Sequence, residues 1–225
     1  MKSLRTCLHL AILLLPLPAA AADPELASCG ARAAKAMQER YGEAKDLSAD
    51  FVQTSRTVGP GGAAQAVASS GKVVLQIPGR MRWAYEKPEE SLVVSDGETL
   101  WLYDPGFREA QKLPVAGGSY LSGAAMIFLR GGGDLEQEFE VVPLTCSEAQ
   151  AELRLTPRET STYEFLTIWV APDTGEISRT EVSDLLGNRT LVEFHHVRLD
   201  QAPDASVFRF EPPEGVEVIE LAPLD

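Results

Sequence analysis

The chain is short of the residues that carry most catalytic and metal chemistry. Its 225 residues include three histidines and three cysteines. His195 and His196 are neighbours on a predicted strand, so we expect their side chains on opposite faces, where they cannot chelate one ion together. We interpret each histidine as a solvated surface residue, and the alternative is that one of them acts as a switch that changes its protonation with pH. The sequence thus predicts no enzyme, no metal site and no cofactor.

Basic residues are also scarce. The chain has 20 Lys and Arg against 33 Asp and Glu, a formal net charge of −13. Such a surface repels phosphate backbones, and no basic cluster offsets it, which excludes nucleic acid as a partner. A cationic patch on a protein partner could be steered to it.

Long apolar runs are missing after the first residues, so no later stretch predicts a spanning helix. At the start, Lys2 and Arg5 precede an apolar run over residues 8–17 and the small residues Ala19 to Ala22. This order is typical of a secretory signal peptide. We therefore expect a cleaved leader over residues 1–22 and one exported domain over residues 23–225, with 18 basic and 33 acidic residues and a charge of −15.

Two cysteines remain after the leader. Cys29 and Cys146 form an even pair in an oxidising compartment, which predicts a disulfide. Residues 26–30, LASCG, also have the residue types of a lipoprotein processing box that would make Cys29 a lipidated N-terminus. Asp23, Pro24 and Glu25 interrupt the apolar run that should lead into such a box, so we favour the disulfide.

Two segments have helical spacing. Over residues 24–41 the apolar residues recur every three or four positions, with Asp23 as a cap and Gly42 at the end. This helix either covers the sheet as core or acts as a movable lid. A second, mostly apolar helix is predicted over residues 120–130, between glycine-rich segments, where it could be buried or swing on its hinges.

The rest of the chain consists of short segments rich in β-branched and aromatic residues, which are separated by turn residues and predict β-strands. A sheet with so many strands usually curls. We predict a mainly β fold in which a single curled antiparallel sheet of about 11 strands forms an incomplete barrel covered by a helical lid. The predicted strands span residues 47–57, 67–71, 72–77, 81–86, 92–95, 99–103, 139–144, 151–156, 163–170, 177–184, 190–199 and 207–210.

Two long stretches carry a family resemblance. Residues 71–105, GKVVLQIPGRMRWAYEKPEESLVVSDGETLWLYDP, and residues 185–218, LLGNRTLVEFHHVRLDQAPDASVFRFEPPEGVEV, resemble the LolA family of outer-membrane lipoprotein carriers. The SDGETLWLYDP and PGRMRW blocks are the specific parts. The resemblance implies an unclosed barrel whose apolar cavity shelters the acyl chains of a lipoprotein.

Large apolar side chains of the predicted strands and helices are the candidates for such a cavity, with ordinary sheet core as the alternative for each. In the strand over residues 99–103, alternation leaves open whether Trp101 with Tyr103 or Leu100 with Leu102 face the cavity. The candidates are Phe51, Met81, Trp83, Tyr85, Leu92, Val94, Trp101, Met126, Phe128 and Trp169.

One position departs from the family pattern. Where the family often has an arginine that holds the lid closed, this chain has Ile77, which cannot make that hydrogen bond. The lid must then be held by Arg80 or Arg82, by apolar packing alone, or by a tether between Cys29 and Cys146.

The resemblance implies a periplasmic carrier of acylated lipoproteins that works between an inner-membrane release complex and an outer-membrane acceptor lipoprotein, and we expect a monomer. The alternatives are a carrier of another lipid or glycolipid and a lipoprotein-sensing regulatory module of the same fold. The membrane-anchored acceptor relative is disfavoured, because the loop over residues 86–90 is polar.

Overall fold

The computed structural model describes residues 23–59, 61, 63–115 and 135–221. Its helices are α1 (Pro24–Gly42), α2 (Leu135–Glu138) and a 3-10 helix (Ala205–Phe208). The strands are β1 (Asp46–Val58), β2 (Ala64–Gln76), β3 (Arg80–Lys87), β4 (Ser91–Asp96), β5 (Thr99–Asp104), β6 (Glu109–Pro114), β7 (Phe139–Cys146), β8 (Ala151–Pro157), β9 (Tyr163–Val170), β10 (Ile177–Asp184), β11 (Arg189–Leu199) and β12 (Glu217–Glu220). The predicted signal peptide and the predicted helix over residues 120–130, with Met126 and Phe128, lie outside the described residues.

The strands form one sheet of 12 strands in the order β12-β6-β5-β4-β3-β2-β1-β11-β10-β9-β8-β7. Neighbouring strands are antiparallel except β12, which pairs with β6 in parallel. The sheet is curled and not closed, since β12 and β7 stand at its two ends. The predicted fold class is therefore confirmed, with 12 strands rather than about 11.

Three strand predictions differ from the structure. The segments over residues 67–71 and 72–77 are parts of the single strand β2. The segment over residues 207–210 is not a strand, because Asp204 caps the 3-10 helix by accepting a hydrogen bond from the Ser206 amide at 2.8 Å. Strands β6 and β12 were not predicted.

Helix α1 begins where the capping pattern predicts. A side-chain oxygen of Asp23 accepts a hydrogen bond from the Glu25 amide at 3.0 Å, and proline follows the cap. The buried face of the helix consists of Gly30, Ala33, Met37 and Tyr41. It packs against β7, β8 and β9, and small residues on this face permit the close approach.

The sheet has two faces, which the strand pairing defines. The inner face carries Phe51, Trp83 and Leu153, and it holds the main hydrophobic core. The outer face carries the alternate residues, such as Val52, Arg82 and Arg154, because side chains alternate along a strand. Helix α1 covers the inner face of the β7–β9 part.

The sheet also has two rims. The turns after β1, β3, β5, β8 and β10 lie at one end of the strands, which we call the distal rim. The turns after β2, β4, β7 and β9 lie at the other end, the proximal rim. Helix α1 is fixed near the proximal rim, where the Tyr41 hydroxyl accepts a hydrogen bond from the Ile177 amide at 3.1 Å.

Candidate functional site: the aromatic inner face

Three aromatic rings from two strands form a wall on the inner face. The Phe51 ring meets the Trp83 ring edge to face, with centroids 4.8 Å apart, and the Tyr85 ring in the same way at 5.1 Å. Phe51 and Trp83 are buried, whereas Tyr85 is half-buried. Such pairs stabilise a packed surface without requiring fixed polar partners.

A glycine makes the contact between Phe51 and Tyr85 possible. In the strand register Gly71 lies directly between them, paired with Phe51 on β1 and with Tyr85 on β3. A Cβ atom at Gly71 would lie within bonding range of the Ala84 carbonyl oxygen. The missing side chain therefore lets β3 approach and lets the two rings meet across an intervening strand.

The wall continues over apolar neighbours. Met81 and Leu75 extend it towards the proximal rim, and Phe194 of β11 lies opposite Phe51. On β5 the structure selects Leu100 and Leu102, which pair with the inner-face residues Ser95 and Val93 of β4. Leu100 and Leu102 therefore share the face of Trp83, whereas Trp101 and Tyr103 lie on the other face. Phe194 is a further inner-face residue that the sequence did not single out, although it alternates with Val192.

Along β1 and β3 the polar groups on this face are few and uncharged. The Tyr85 hydroxyl donates a hydrogen bond to Gln53 Oε1 at 3.1 Å, and burial raises the pKa of Tyr85 while this bond lowers it less. Buried Ser95 accepts from the Gly97 amide at 3.1 Å. The inner-face positions from Leu47 to Gln53 on β1 and from Met81 to Tyr85 on β3 include no charged side chain.

Three predicted cavity residues lie on the opposite face. Leu92 pairs with Ala84, and Val94 with Arg82 and Trp101, so all three candidates point away from Trp83. There the C-terminal segment covers them: the Phe210 ring lies 5.4 Å from the Trp101 ring, and Arg82 donates a hydrogen bond to the Val207 carbonyl at 3.2 Å. These three cavity candidates therefore do not share a face with Trp83, because β4 and β5 carry large apolar residues on both faces.

Trp169 is also an outer-face residue. Its neighbours Ile168 and Val170 are buried on the inner face, and the Arg179 guanidinium lies over the Trp169 ring at 4.8 Å. Of the predicted set, Phe51, Met81, Trp83 and Tyr85 come together on one wall. Met126 and Phe128 lie outside the described residues.

Ile77, which stands where the family often has the latch arginine, lies in apolar surroundings. Ile77 is half-buried and packs against the core, while its amide donates to the Lys45 carbonyl at 2.9 Å. Arg80 donates to Gln76 Oε1 at 3.1 Å, and Arg82 is engaged on the outer face. Among the described residues, these arginine contacts do not reach α1.

The predicted disulfide is present. Cys29 of α1 is bonded to Cys146 at the end of β7, with Cα atoms 6.1 Å apart. The next residue after Cys29 is Gly30, which lies so close to β7 that a Cβ there would be 2.5 Å from Pro143 Cβ. Helix α1 is thus held covalently and by close packing, as a fixed cover of the β7–β9 part.

The two histidines share the outer face. A bulge between Ser48 and Asp50 interrupts the pairing of β1 with β11, and His196 has a φ of 53°. Both histidines are exposed, and His196 Nδ1 lies 2.8 Å from Asp50 Oδ2. The hydrogen bond with His196 lowers the pKa of Asp50. Opposite faces were therefore the wrong expectation, and the described residues include no group of three or more metal-ligating side chains.

Similarity to known proteins agrees with this architecture. The family model "Outer membrane lipoprotein carrier protein LolA" matches residues 42–211. The chain belongs to the LolA family. An outer-membrane lipoprotein carrier protein of Bordetella avium is 34% identical over 177 residues, covering 79% of this chain and 82% of the relative. One from Halorhodospira halophila is 38% identical over 157 residues, covering 69% and 71%.

A solved structure supports the fold alone. An uncharacterised conserved protein from Thermus thermophilus superposes with a TM-score of 0.52 at 11% identity, covering 84% of this LolA-family chain and 99% of that protein. Within the part of the chain that the structure describes, no helix has the length and apolar character needed to cross a bilayer.

Proposed function

We propose that this protein is a periplasmic carrier that shelters the acyl chains of lipoproteins against the inner-face wall of Phe51, Met81, Trp83 and Tyr85. It receives cargo from an inner-membrane release complex and delivers it to an outer-membrane acceptor lipoprotein, as a monomeric mature domain over residues 23–225 after loss of the signal peptide. It acts by binding and release, without catalysis.

The observation that carries the proposal is a wall that is aromatic, apolar and uncharged in a member of a lipoprotein carrier family. Each CH₂ moved from water into an apolar site gains about 0.8 kcal/mol, so several acyl chains cannot cross an aqueous compartment unescorted. Acyl chains offer no hydrogen bonds. A wall held together by ring contacts and a single tyrosine–glutamine bond suits such a ligand.

Two adjacent residues of β5 provide the sharpest test. Leu102 and Tyr103 are both half-buried, but Leu102 faces the wall and Tyr103 the outer face. A glutamate at position 102 places a charge where acyl chains would lie, whereas one at position 103 does not. We expect Leu102→Glu to weaken binding of a triacylated peptide at least ten-fold, which corresponds to a loss of roughly 1.4 kcal/mol of binding free energy. Tyr103→Glu should change the affinity less than two-fold.

Trp83→Glu is the more severe variant. Trp83 is 4% exposed, so a carboxylate there loses its hydration without a partner, at a cost of several kcal/mol. We expect lost acceptance of lipoprotein together with a lower melting temperature. Binding equal to wild type in both Trp83→Glu and Leu102→Glu would refute the inner wall as the acyl site.

The identity of the ligand can be read directly. Native mass spectrometry of protein purified from its own periplasm should show a bound acylated polypeptide. A free lipid or glycolipid in its place would favour the alternative carrier function, while retaining the inner wall as the binding surface.

A further inference from the structure

The exposed large apolar residues are unevenly distributed over the molecule. Leu186 is 81% exposed, Phe107 80% and Leu185 66%, and all three stand on turns of the distal rim. Val58, at the end of β1 on the same rim, is 51% exposed. The described turns of the proximal rim contribute no residue to this exposed set. One end of the sheet therefore presents apolar side chains to solvent, which calls for a partner.

Two hairpins join to form the most exposed part, which we call the leucine tip and define as Val58, Leu185 and Leu186. The Asn188 side-chain oxygen accepts a hydrogen bond from the Val58 amide at 2.9 Å, which connects the β10–β11 turn to the end of β1. The turn that carries the leucines therefore lies against the end of β1, where a Cβ at Gly187 would lie 4.0 Å from Val58 Cγ2.

Side-chain hydrogen bonds order the turn that carries the two leucines. Asp184 Oδ1 accepts hydrogen bonds from the amides of Leu186 and Asn188, both at 2.8 Å, and its second oxygen accepts from Asn188 Nδ2 at 2.7 Å. Gly187, with a φ of 84°, completes the turn. A turn organised in this way holds the backbone of Leu185 and Leu186 in place, which lowers the ordering cost of contact.

Cationic side chains flank the leucine tip in a chain that is otherwise strongly acidic. Arg56 and Arg189 are directly opposite each other on β1 and β11, two residues from Val58 and three residues from Leu186 along the chain. Arg189 also contacts Glu181 at 3.5 Å, and the Arg189 side chain is 54% exposed. Exposed leucines at an extremity with arginines just behind them match a bilayer surface, where apolar groups enter the acyl boundary and guanidinium groups meet phosphates.

We propose that the leucine tip is a docking element for a phospholipid bilayer surface, with Leu185 and Leu186 entering the headgroup boundary and Arg56 and Arg189 contacting lipid phosphates. Phe107 stands on the same rim as a second point of insertion, since aromatic rings favour the interface. The contact is reversible, because two or three side chains bury little area and the net charge of −15 of residues 23–225 opposes tight association. This inference goes beyond cargo binding and is tested without cargo.

The experiment is flotation of the purified mature protein with vesicles of phosphatidylethanolamine containing a minor fraction of phosphatidylglycerol. We expect the wild type to float with the vesicles, and the double variant Leu185→Ser, Leu186→Ser to partition at least about ten-fold less. The matched control is Val142→Ser, which removes an apolar side chain that is 40% exposed on β7, away from the distal rim. It should float like the wild type.

A second arm tests the arginines. Arg56→Gln should reduce flotation with the anionic vesicles by about three-fold and leave flotation with purely zwitterionic vesicles unchanged. The inference is overturned if the wild type stays with the soluble fraction, or if the double leucine variant floats as well as Val142→Ser. A soluble wild type whose position 186 crosslinks to a membrane protein in spheroplasts would assign the leucine tip to a protein partner instead.

Discussion

The inner face of the sheet is built in two contrasting ways. Over β7–β9 it is covered by α1, which is held by a disulfide, by the close approach at Gly30 and by the Tyr41–Ile177 hydrogen bond. Over β1–β3 it is a wall of rings that contact each other edge to face. The first part has a covalent tie, whereas the second, which we call adaptable, is held by ring contacts and one Tyr85–Gln53 hydrogen bond. One sheet thus combines a fixed half with an adaptable half.

Removing the disulfide should have the largest effect. The bond spans 117 residues, and the loss of so long a closed loop costs about 4 kcal/mol of unfolding free energy on the chain-entropy model. We expect this loss for the double variant Cys29→Ser, Cys146→Ser in urea denaturation, and the largest rise in native-state hydrogen exchange in α1. An equal rise over β1–β3 would show that the two halves are not distinct.

Alkylation of the wild type without reductant should find no free thiol at either position.

Two glycines of α1 offer a matched pair for the next effect. Gly30→Ala brings a Cβ to 2.5 Å from Pro143 Cβ, whereas at Gly42 a Cβ meets nothing within 4 Å. We expect Gly30→Ala to destabilise the protein by about 2 kcal/mol through overpacking. Gly42→Ala should be neutral or stabilise it by up to about 1 kcal/mol, since alanine favours the helix. Thermal melts of both variants measure the difference, and equal melting temperatures would remove the evidence for a tightly fitted α1.

Ile77→Arg examines how the adaptable half is held. If an arginine here acts as a latch, the variant keeps its melting temperature and releases an acylated peptide faster. Because Ile77 is half-buried and packs against the core, we expect instead a loss of about 1 kcal/mol and a lower melting temperature. Ile77→Leu, which conserves volume, is the control and should change neither quantity appreciably. Faster release at an unchanged melting temperature would overturn the packing interpretation.

The smallest effect concerns Asp184, which precedes Leu185 of the leucine tip. Burial alone would raise the pKa of Asp184, but hydrogen bonds from the Asn188 side chain and from backbone amides together lower it. A lowered pKa means that the carboxylate stabilises the fold at neutral pH, and that this contribution is lost as pH falls below about 4. Asp184→Asn should therefore lose under about 1 kcal/mol at pH 7 and show a shallower stability loss on acidification. If the stability of both proteins fell equally as the pH was lowered, the stabilising role of the Asp184 carboxylate would be contradicted.

Local signals predicted much of the fold. Asp23 followed by proline predicted the start of α1, and the curled antiparallel sheet followed from alternation and turn residues. Strand β12 was missed because it is four residues long and pairs with β6 in parallel, through contacts distant in sequence. The 3-10 helix was missed because the β-branched and aromatic residues around Val207 resemble a strand, whereas the decisive feature is the Asp204 cap.

The limits of the site prediction have a physical origin as well. Alternation correctly placed Met81, Trp83 and Tyr85 on one face, but it could not say which face of the neighbouring strands joins them. Val94 and Trp101 are as large and apolar as core residues, because the C-terminal segment gives β4 and β5 a second buried face. The useful signal was apolar residues on both faces of these strands, together with the two phenylalanines Phe208 and Phe210.

The open ends of the sheet have a consequence for volume. In a closed barrel, strand number and stagger fix the radius, so widening it means breaking hydrogen bonds between strands. Here β12 and β7 are terminal in the strand order. The curl of the open sheet can therefore loosen or tighten by small changes of twist at each of its eleven strand junctions. Such changes need not break the hydrogen bonds between neighbouring strands. In the carrier function proposed above, the volume enclosed by the sheet would then be an elastic property of the backbone and could differ from one cargo to the next.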